Sequence, residues 1–407
     1  MTSRPPRSSD AVPERPPPDY ASSFTVEVDL DAITSNVAAL SARVAGAEVM
    51  AVVKADAYGH GLLPSARAAL RGGAAALGVA QLSEAIAARD AGIDARMLTW
   101  LYSPGADVAG ALARRIEVTI SGRWQLDAVV DAARAGGSTA PIHLKVDTGL
   151  ARGGALLDGE GSAWHDLVAV VAPLAAEGIV EIQGIWQHFV YADAPEHPTV
   201  RGQQEIFHEA VRIAERAGIG PGRLHIANSA ATLTNPSAYL DMVRPGLAVY
   251  GLSPVPHLGR PEDFGLREAM RLTARLSLVK RVKAGQGVSY GHTWHADRDT
   301  VIGLVPLGYA DGIPRSASNR GPVQVGGGPH TPMAGRVCMD QIMVDLGPDF
   351  AGSAGDEVVI LGRGSDGEPT AQDWAEAAGT INYEIVTRMA PRAARHYVGA
   401  GAGEGSA

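Results

Sequence analysis

Residues 51–61 read AVVKADAYGHG, and the fold turns on how this stretch is parsed. With the preceding EVM it forms a short run of small and branched apolar residues, the pattern of a strand buried on both faces of a parallel sheet. The run stops at Lys54, and the residues after it have the polar, glycine-containing composition of a turn. A buried strand that ends by handing a lysine to a turn raises the question of what that amine is for.

Working outward, the same kind of strand recurs. EVMAVVKAD, ALGVA, RMLTWLY, EVTIS, PIHLKVDTG, VEIQGIWQHF, RLHIANS and MVRPGLAVYG alternate with alanine-rich helical stretches such as SEAIAARDAG and QQEIFHEAVRIAERAG. Alternation of strand and helix implies a parallel sheet, and eight such strands imply a closed (β/α)8 barrel. Upstream, FTVEVDLDAITSNVAAL reads as an alternating strand followed by a helix that Asp31 or Ser35 starts. Near residue 255 the pattern changes to strands joined by glycine-marked turns, among them TARLSLVKRVKAGQGVSYG and GDEVVILGRG, which reads as a separate antiparallel unit. The expected fold class is α/β: an N-terminal (β/α)8 barrel over 39–254 and a C-terminal mainly antiparallel β domain over 255–397. A strand and lead-in at 24–38 should pack with that β domain. Residues 1–23, rich in proline and serine, and 398–407, which include GAGAGEGSA, read as flexible tails.

Bulk properties narrow the function classes. The chain has 407 residues, 46% hydrophobic and 19% charged, which is globular and long enough for two domains. A net charge of −9 argues against nucleic acid as a partner. Cys338 is the single cysteine, so no internal disulfide forms and a reducing cytoplasm is the expected location. The longest apolar candidate, LVAVVAPLAAEGIVEI, is interrupted by Pro173 and Glu177, so no membrane span is expected.

A barrel of this kind carries its site where the strands end. The strand ends here supply Lys54, Lys145 with Asp147, His188, Ser229 and Arg244. Each also has an ordinary reading: a solvated lysine, a satisfied histidine, a helix-capping serine, an arginine at a helix end. Lys54 is the chemically distinctive one. A partly desolvated lysine loses its proton near neutral pH and attacks an aldehyde to form a Schiff base.

AVVKADAYGHG resembles the pyridoxal phosphate attachment segment of bacterial alanine racemases, and the resemblance runs from about residue 24 to 395. It includes HLKVDTGLARGG, ANSAA, VRPGLAVYG, VSYGHT, PLGYADG, GRVCMDQ and NYE in the family's order. The resemblance implies that Lys54 carries pyridoxal 5′-phosphate and later acts as a base. It implies phosphate contacts from Tyr58, Ser229, Tyr383 and the backbone at Gly246 and Leu247, with Asn228 shaping the turn. Arg244 would face the pyridine nitrogen, with His225 behind it. An arginine only donates, so it would keep that nitrogen unprotonated and the carbanion short-lived. Arg152 would hold the cofactor's phenolic oxygen and the substrate carboxylate through paired hydrogen bonds. Lys145 matches a lysine that is often carbamylated; unmodified, it needs Asp147 or a bound anion beside Arg152.

Racemisation needs proton donors on both faces of a planar carbanion. By resemblance Lys54 serves one face and Tyr290 the other, with His188 helping a phenol whose ordinary pKa of about 10 makes it a weak base. In the family the second base comes from the partner chain. The expectation is therefore an obligate homodimer, with Tyr290, Tyr309, Cys338, Met339 and Asp340 entering from the partner. Met339 would lie near the substrate carboxylate, and Cys338 reads as a small buried hydrophobe. Asp193, Arg315, Arg336 and Ile381 match positions at the family's substrate entrance. No metal is implied. The expected activity is interconversion of L- and D-alanine, supplying D-alanine for peptidoglycan. WQHFVYAD carries bulkier residues beside His188 than the family commonly shows, so serine or another small amino acid stays open as substrate. Three rivals share parts of this pattern. A cofactor carrier lacks the second domain, a two-domain amino-acid decarboxylase needs features missing here, and a lysine aldolase leaves Tyr58, Ser229 and Arg244 unexplained.

Overall fold

The computed structural model describes residues 23–402. The tail reading at 1–22 and 403–407 lies outside the described residues; at 398–402 it is corrected, because Val398 pairs with Asp29 in a sheet and Ala400 bonds Asp31 and Arg71.

Strand β1 (Phe24–Asp29) alternates as its sequence does, with Val26 and Val28 fully buried. It leads into a helix at Leu30–Arg43 that is capped by Asp29, whose Oδ1 accepts from the Ala32 amide at 2.9 Å. The expected starters, Asp31 and Ser35, sit inside that helix. Asp29 wins because it is the last extended residue, placing its carboxylate against the free amides of the first turn.

The barrel follows. Its strands are β2 (Glu48–Val52), β3 (Ala76–Gln81), β4 (Arg96–Leu101), β5 (Glu117–Ile120) and β6 (Ala140–Asp147), then β8 (Val180–Trp186), β9 (Arg223–His225) and β10 (Met242–Val243). A two-residue strand β7 (Ala155–Leu156) pairs beside the end of β6. Every neighbouring pair along β10-β2-β3-β4-β5-β6-β8-β9 is parallel. The ring is completed by backbone bonds from Asp241 to Leu224 at 3.1 Å and from Arg244 to Ala227 at 2.8 Å. Near-continuous branched and small residues allow burial against both the barrel interior and the outer helices.

After the barrel the strands are β11 (Met270–Arg275), β12 (Leu278–Val282), β13 (Gly287–Val288), β14 (Trp294–His295), β15 (Thr300–Val305), β16 (Pro322–Val325), β17 (His330–Pro332), β18 (Ile342–Gly347), β19 (Glu357–Leu361) and β20 (Arg395–Val398). The main sheet runs β17-β16-β19-β11-β1-β20, with a smaller β12-β15-β18 sheet and a β13–β14 hairpin. β1 lies between antiparallel β11 and parallel β20, so the earliest strand belongs to the later sheet. The chain therefore begins in the β unit, makes the barrel, and returns.

Asn36 pins this crossing. It is 1% exposed, its Nδ2 donates to the carbonyls of Val249 and Arg267 at 3.1 and 2.9 Å, and its Oδ1 accepts from the Arg267 amide at 2.8 Å. At the other end Ala400 donates to Asp31 at 2.9 Å and accepts from Arg71 at 2.7 Å. Asn36→Ala leaves buried backbone groups unpaired at about 1–3 kcal/mol each. The calorimetric unfolding midpoint of that variant should fall by several degrees, and an unchanged midpoint would contradict the pinning role.

Candidate active site

Lys54 stands two residues beyond β2, and the chain then does something unusual. Ala55, Asp56, Ala57 and Tyr58 all have φ between 52° and 55°, one turn of left-handed helix made without glycine. Each such residue costs about 1–2 kcal/mol, so the turn persists only because contacts hold it. Asp56 accepts from the Leu62 amide at 2.7 Å, and its own amide donates to Glu84 at 3.3 Å. His60, fully buried, sets Nδ1 3.0 and 3.1 Å from the carbonyls of Ala57 and Tyr58. Arg395, on β20, donates to the Gly59 carbonyl at 2.6 Å. Gly61, at φ +94°, lies so close to Tyr397 that a methyl there would collide with the phenol oxygen. Both halves of the molecule thus grip the turn that carries the lysine.

Around Lys54 the expected residues converge. Tyr58 is buried, its ring 5.9 Å from the Lys54 amine and 6.2 Å from the ring of Tyr383. Its hydroxyl abuts Gly246, where any side chain would clash. Ser229 Oγ accepts from the amides of Gly246 and Ala248 at 2.8 and 3.3 Å. That leaves the serine proton to donate outward, as contact with an anion requires. Asn228 is the cap of the helix Ser229–Thr234, accepting from the Ala231 amide at 3.1 Å. Burial, and Asp193 nearby, push the Tyr383 phenol up to about 12.

The mouth is crowded with positive charge. Burial and then Arg152 hold the Lys54 amine below the ordinary lysine pKa, with Glu84 opposing. Burial, Arg152 and Arg244 bring Lys145 down to about 8, only partly offset by Asp147. Asp147 accepts at Oδ1 from the amides of Gly149 and Ala151 at 2.9 and 3.2 Å, and its single charge stands against those of Lys145, Arg152 and Arg244. Lys145 and Arg244 are instead set over Trp186, 4.5 and 4.7 Å from its ring centre. Arg244 donates to the carbonyls of His225 and Gln187 at 2.6 and 2.8 Å. Its burial lowers its pKa toward about 9, which still leaves it charged at neutral pH. Burial and the cations Arg244, Arg152, Lys145 and Lys54 hold His188 well below its usual range, hence neutral.

A second group forms elsewhere, in the β unit. Tyr290, Met339 and Tyr309 are 68%, 55% and 42% exposed. The carbonyls of Cys338 and Met339 accept from Tyr309 and Ala310 at 3.0 and 2.9 Å, and Arg336 lies against Gly291 beside Tyr290. Cys338 is buried beside the Ser289 hydroxyl at 3.6 Å, and Asp340 accepts from Arg392 at 2.9 Å. Among the described residues, no hydrogen bond or ring contact links Tyr290, Tyr309 or Met339 to the barrel mouth. The four entrance residues divide likewise. Asp193 sits near Tyr383, and exposed Ile381 is two residues before Tyr383. Ser318 donates to the Arg315 carbonyl at 2.6 Å and accepts from the amide of Val337, the residue after Arg336, at 3.1 Å.

Several residues that shape the site escaped the sequence reading: His60, Glu84, Arg395, Trp186, His143 and Glu117. Two carried a usable signal. His60 lies inside the opening segment, and His143 stands two residues before Lys145 on β6, hence on the same strand face.

A lysine of lowered basicity thus lies with Arg152, Lys145 and Arg244 at the mouth of a parallel barrel with a β domain attached. The model of the alanine racemase N-terminal domain matches residues 28–254, and that of the alanine racemase C-terminal domain matches 269–397. The chain belongs to the alanine racemase family and is an amino-acid racemase. It is 53% identical to the alanine racemase of Frankia casuarinae, over 91% of this chain and 95% of the relative. The alanine racemase structure from D-cycloserine-producing Streptomyces lavendulae aligns with TM-score 0.90 at 52% identity, covering 93% and 97% of the two chains. That from Bacillus anthracis with bound L-Ala-P aligns at 0.84 and 35% identity, covering 93% and 96%.

The lowered pKa of Lys54 has a direct check. Because Arg152 depresses it, Arg152→Gln should shift it upward, read as the pH dependence of Lys54 acetylation by mass spectrometry. A titration that moves down or stays put would show that Arg152 does not act on the amine.

Proposed function

We propose that this racemase interconverts L- and D-alanine with pyridoxal 5′-phosphate bound at Lys54, and that it works as an obligate homodimer in the cytoplasm, supplying D-alanine for peptidoglycan. The observation that carries the reading is the barrel-mouth cluster of Lys54, Lys145, Arg152 and Arg244, which has more cations than nearby carboxylates and includes an amine of depressed pKa. Such a cluster demands an anion, and a phosphate with a phenolate answers it. The donor set also fits: a serine proton aimed outward, a tyrosine hydroxyl against a bare glycine, and an arginine with only protons to offer.

In this reading Ser229, Tyr58, Tyr383 and the backbone at Gly246 and Leu247 hold the phosphate, with Asn228 bracing the turn. Arg244 addresses the ring nitrogen as a donor and so leaves it unprotonated. Arg152 takes the phenolic oxygen and the substrate carboxylate. When bound, the cofactor supplies the electron-withdrawing system that acidifies the substrate's α-hydrogen. The chain's own groups then manage the proton: Lys54 Nζ removes or returns it on one face, and the phenol oxygen of Tyr290 of the partner subunit does so on the other. The lowered pKa of Lys54 eases its conversion to the neutral, basic form. Neutral His188 accepts a hydrogen bond from the phenol without adding charge. Tyr309 and Met339 of the partner subunit line the substrate carboxylate, and Asp193, Arg315, Arg336 and Ile381 form the entrance. Residues 39–254 act as the cofactor-binding barrel, and 24–38 with 255–397 form the β domain that presents Tyr290.

The purified protein with pyridoxal phosphate should convert pure L-alanine to a racemic mixture, followed by chiral chromatography. Borohydride treatment should fix the label on Lys54, and a peptide map without it there would end the proposal. Tyr290→Phe should slow exchange of the α-hydrogen from one enantiomer more than from the other. Mixing inactive Lys54→Ala and Tyr290→Phe chains should restore activity through hybrid dimers. Failure of subunit exchange to restore any would argue against shared sites.

A further inference from the structure

The barrel interior holds a line of buried polar side chains of which the reaction above uses only Arg244. Glu117 on β5, His143 on β6, His225 at the end of β9 and Arg244 just after β10 are all at most 6% exposed. They join end to end: Arg244 Nη1 to His225 Nδ1 at 3.2 Å, His225 Nε2 to His143 Nδ1 at 2.9 Å, and His143 Nε2 to Glu117 Oε2 at 2.8 Å. Space is reserved for this line. A methyl on Gly184 of β8 would come within 2.7 Å of His143 Nδ1, and Trp186 lies parallel to the His225 ring, 5.8 Å away.

We propose that these four side chains form a one-directional hydrogen-bond wire, with both histidines neutral and protonated on Nε2, so that Glu117 and His143 are positioning residues for Arg244. The direction follows from the ends. A guanidinium only donates and an ionised carboxylate only accepts, so each imidazole between them accepts at Nδ1 and donates at Nε2. Reversing either ring would set an N–H of His225 against the N–H of Arg244. Protonating His143 has the same result, because its second N–H forces His225 to turn its own proton toward the guanidinium. The charge environment agrees. Burial opposes ionisation of Glu117, but the His143 hydrogen bond, Arg96 and Arg223 together keep it below the usual carboxylate range. Arg96 Nε stands 3.8 Å from Glu117 Oε1, and Glu48 accepts from Arg96 and Arg223 at 3.0 and 2.9 Å. Burial holds both histidines below their usual range, most strongly His225.

The arrangement has a function that a direct ion pair lacks. A carboxylate placed on Arg244 would neutralise it; two imidazoles in between satisfy its donor and immobilise it while leaving its positive charge for the site. That use of the charge toward the cofactor ring rests on the reading above, whereas the wire itself does not.

Histidine-ring ¹⁵N spectra of the full-length protein, assigned with the His143→Asn variant, read the wire directly. Both rings should be neutral with the proton on Nε2 from about pH 6 to 9; a proton on Nδ1 of either ring, or an imidazolium, would overturn the proposal. The cofactor's dissociation constant, from tryptophan quenching, gives a second reading. His143→Leu leaves the His225 proton without an acceptor and should weaken pyridoxal phosphate on the order of tenfold. His143→Asn still offers a carbonyl in the Nδ1 position and should stay nearer the parent. Equal weakening by both variants would reduce His143 to packing. A protein that racemises alanine yet shows the wrong tautomers refutes the wire alone, and the correct tautomers in a protein without racemase activity refute the reading of the reaction.

Discussion

Four consecutive non-glycine residues in the left-handed helical region are a conformation that a chain keeps only under compulsion. The rest of the site depends on that compulsion, because the turn from Ala55 to Tyr58 directs the Lys54 amine and the Tyr58 hydroxyl toward one place. Neither unit of the structure supplies the restraint alone. Glu84 and His60 come from the barrel side and Arg395 from the last strand of the β sheet. The strained turn is therefore where the two units meet energetically as well as spatially, and strain of this kind is characteristic of sites whose geometry must be fixed in advance.

Electrostatics follow the same logic of built-in tension. Lys54, Lys145, Arg152 and Arg244 are offset only by Glu84, acting on Lys54, and Asp147, acting on Lys145. The Trp186 ring beneath Lys145 and Arg244 relieves part of the repulsion without cancelling any charge. A pocket arranged this way is poor at holding nothing and good at holding an anion. It also bears on how a lysine can be a usable base: burial and the Arg152 cation are what depress the amine's pKa.

Much of the fold was legible because strand burial writes itself as composition. The eight apolar runs correspond to the barrel strands, and their ends supplied Lys54, Lys145, His188, Ser229 and Arg244. The helix after β1 was misplaced at its start, since Asp29, Asp31 and Ser35 are all competent caps and only the backbone decides which one is last in extended form. The left-handed turn had no signature: alanine and tyrosine carry no preference for positive φ, and beyond the local contacts of His60 and Leu62 the residues enforcing it, Glu84 and Arg395, lie far along the chain. Trp186 looked like an ordinary strand-end aromatic, because its role depends on two cations that arrive from other strands. Tyr290 was found only through the family resemblance; its exposed position in the β unit says nothing by itself about the reaction.

The hydrogen bond from Arg395 to Gly59 spans 336 residues. During synthesis the barrel strands emerge before that clasp, so the last of the restraints on the turn that carries the lysine forms only once β20 has been made.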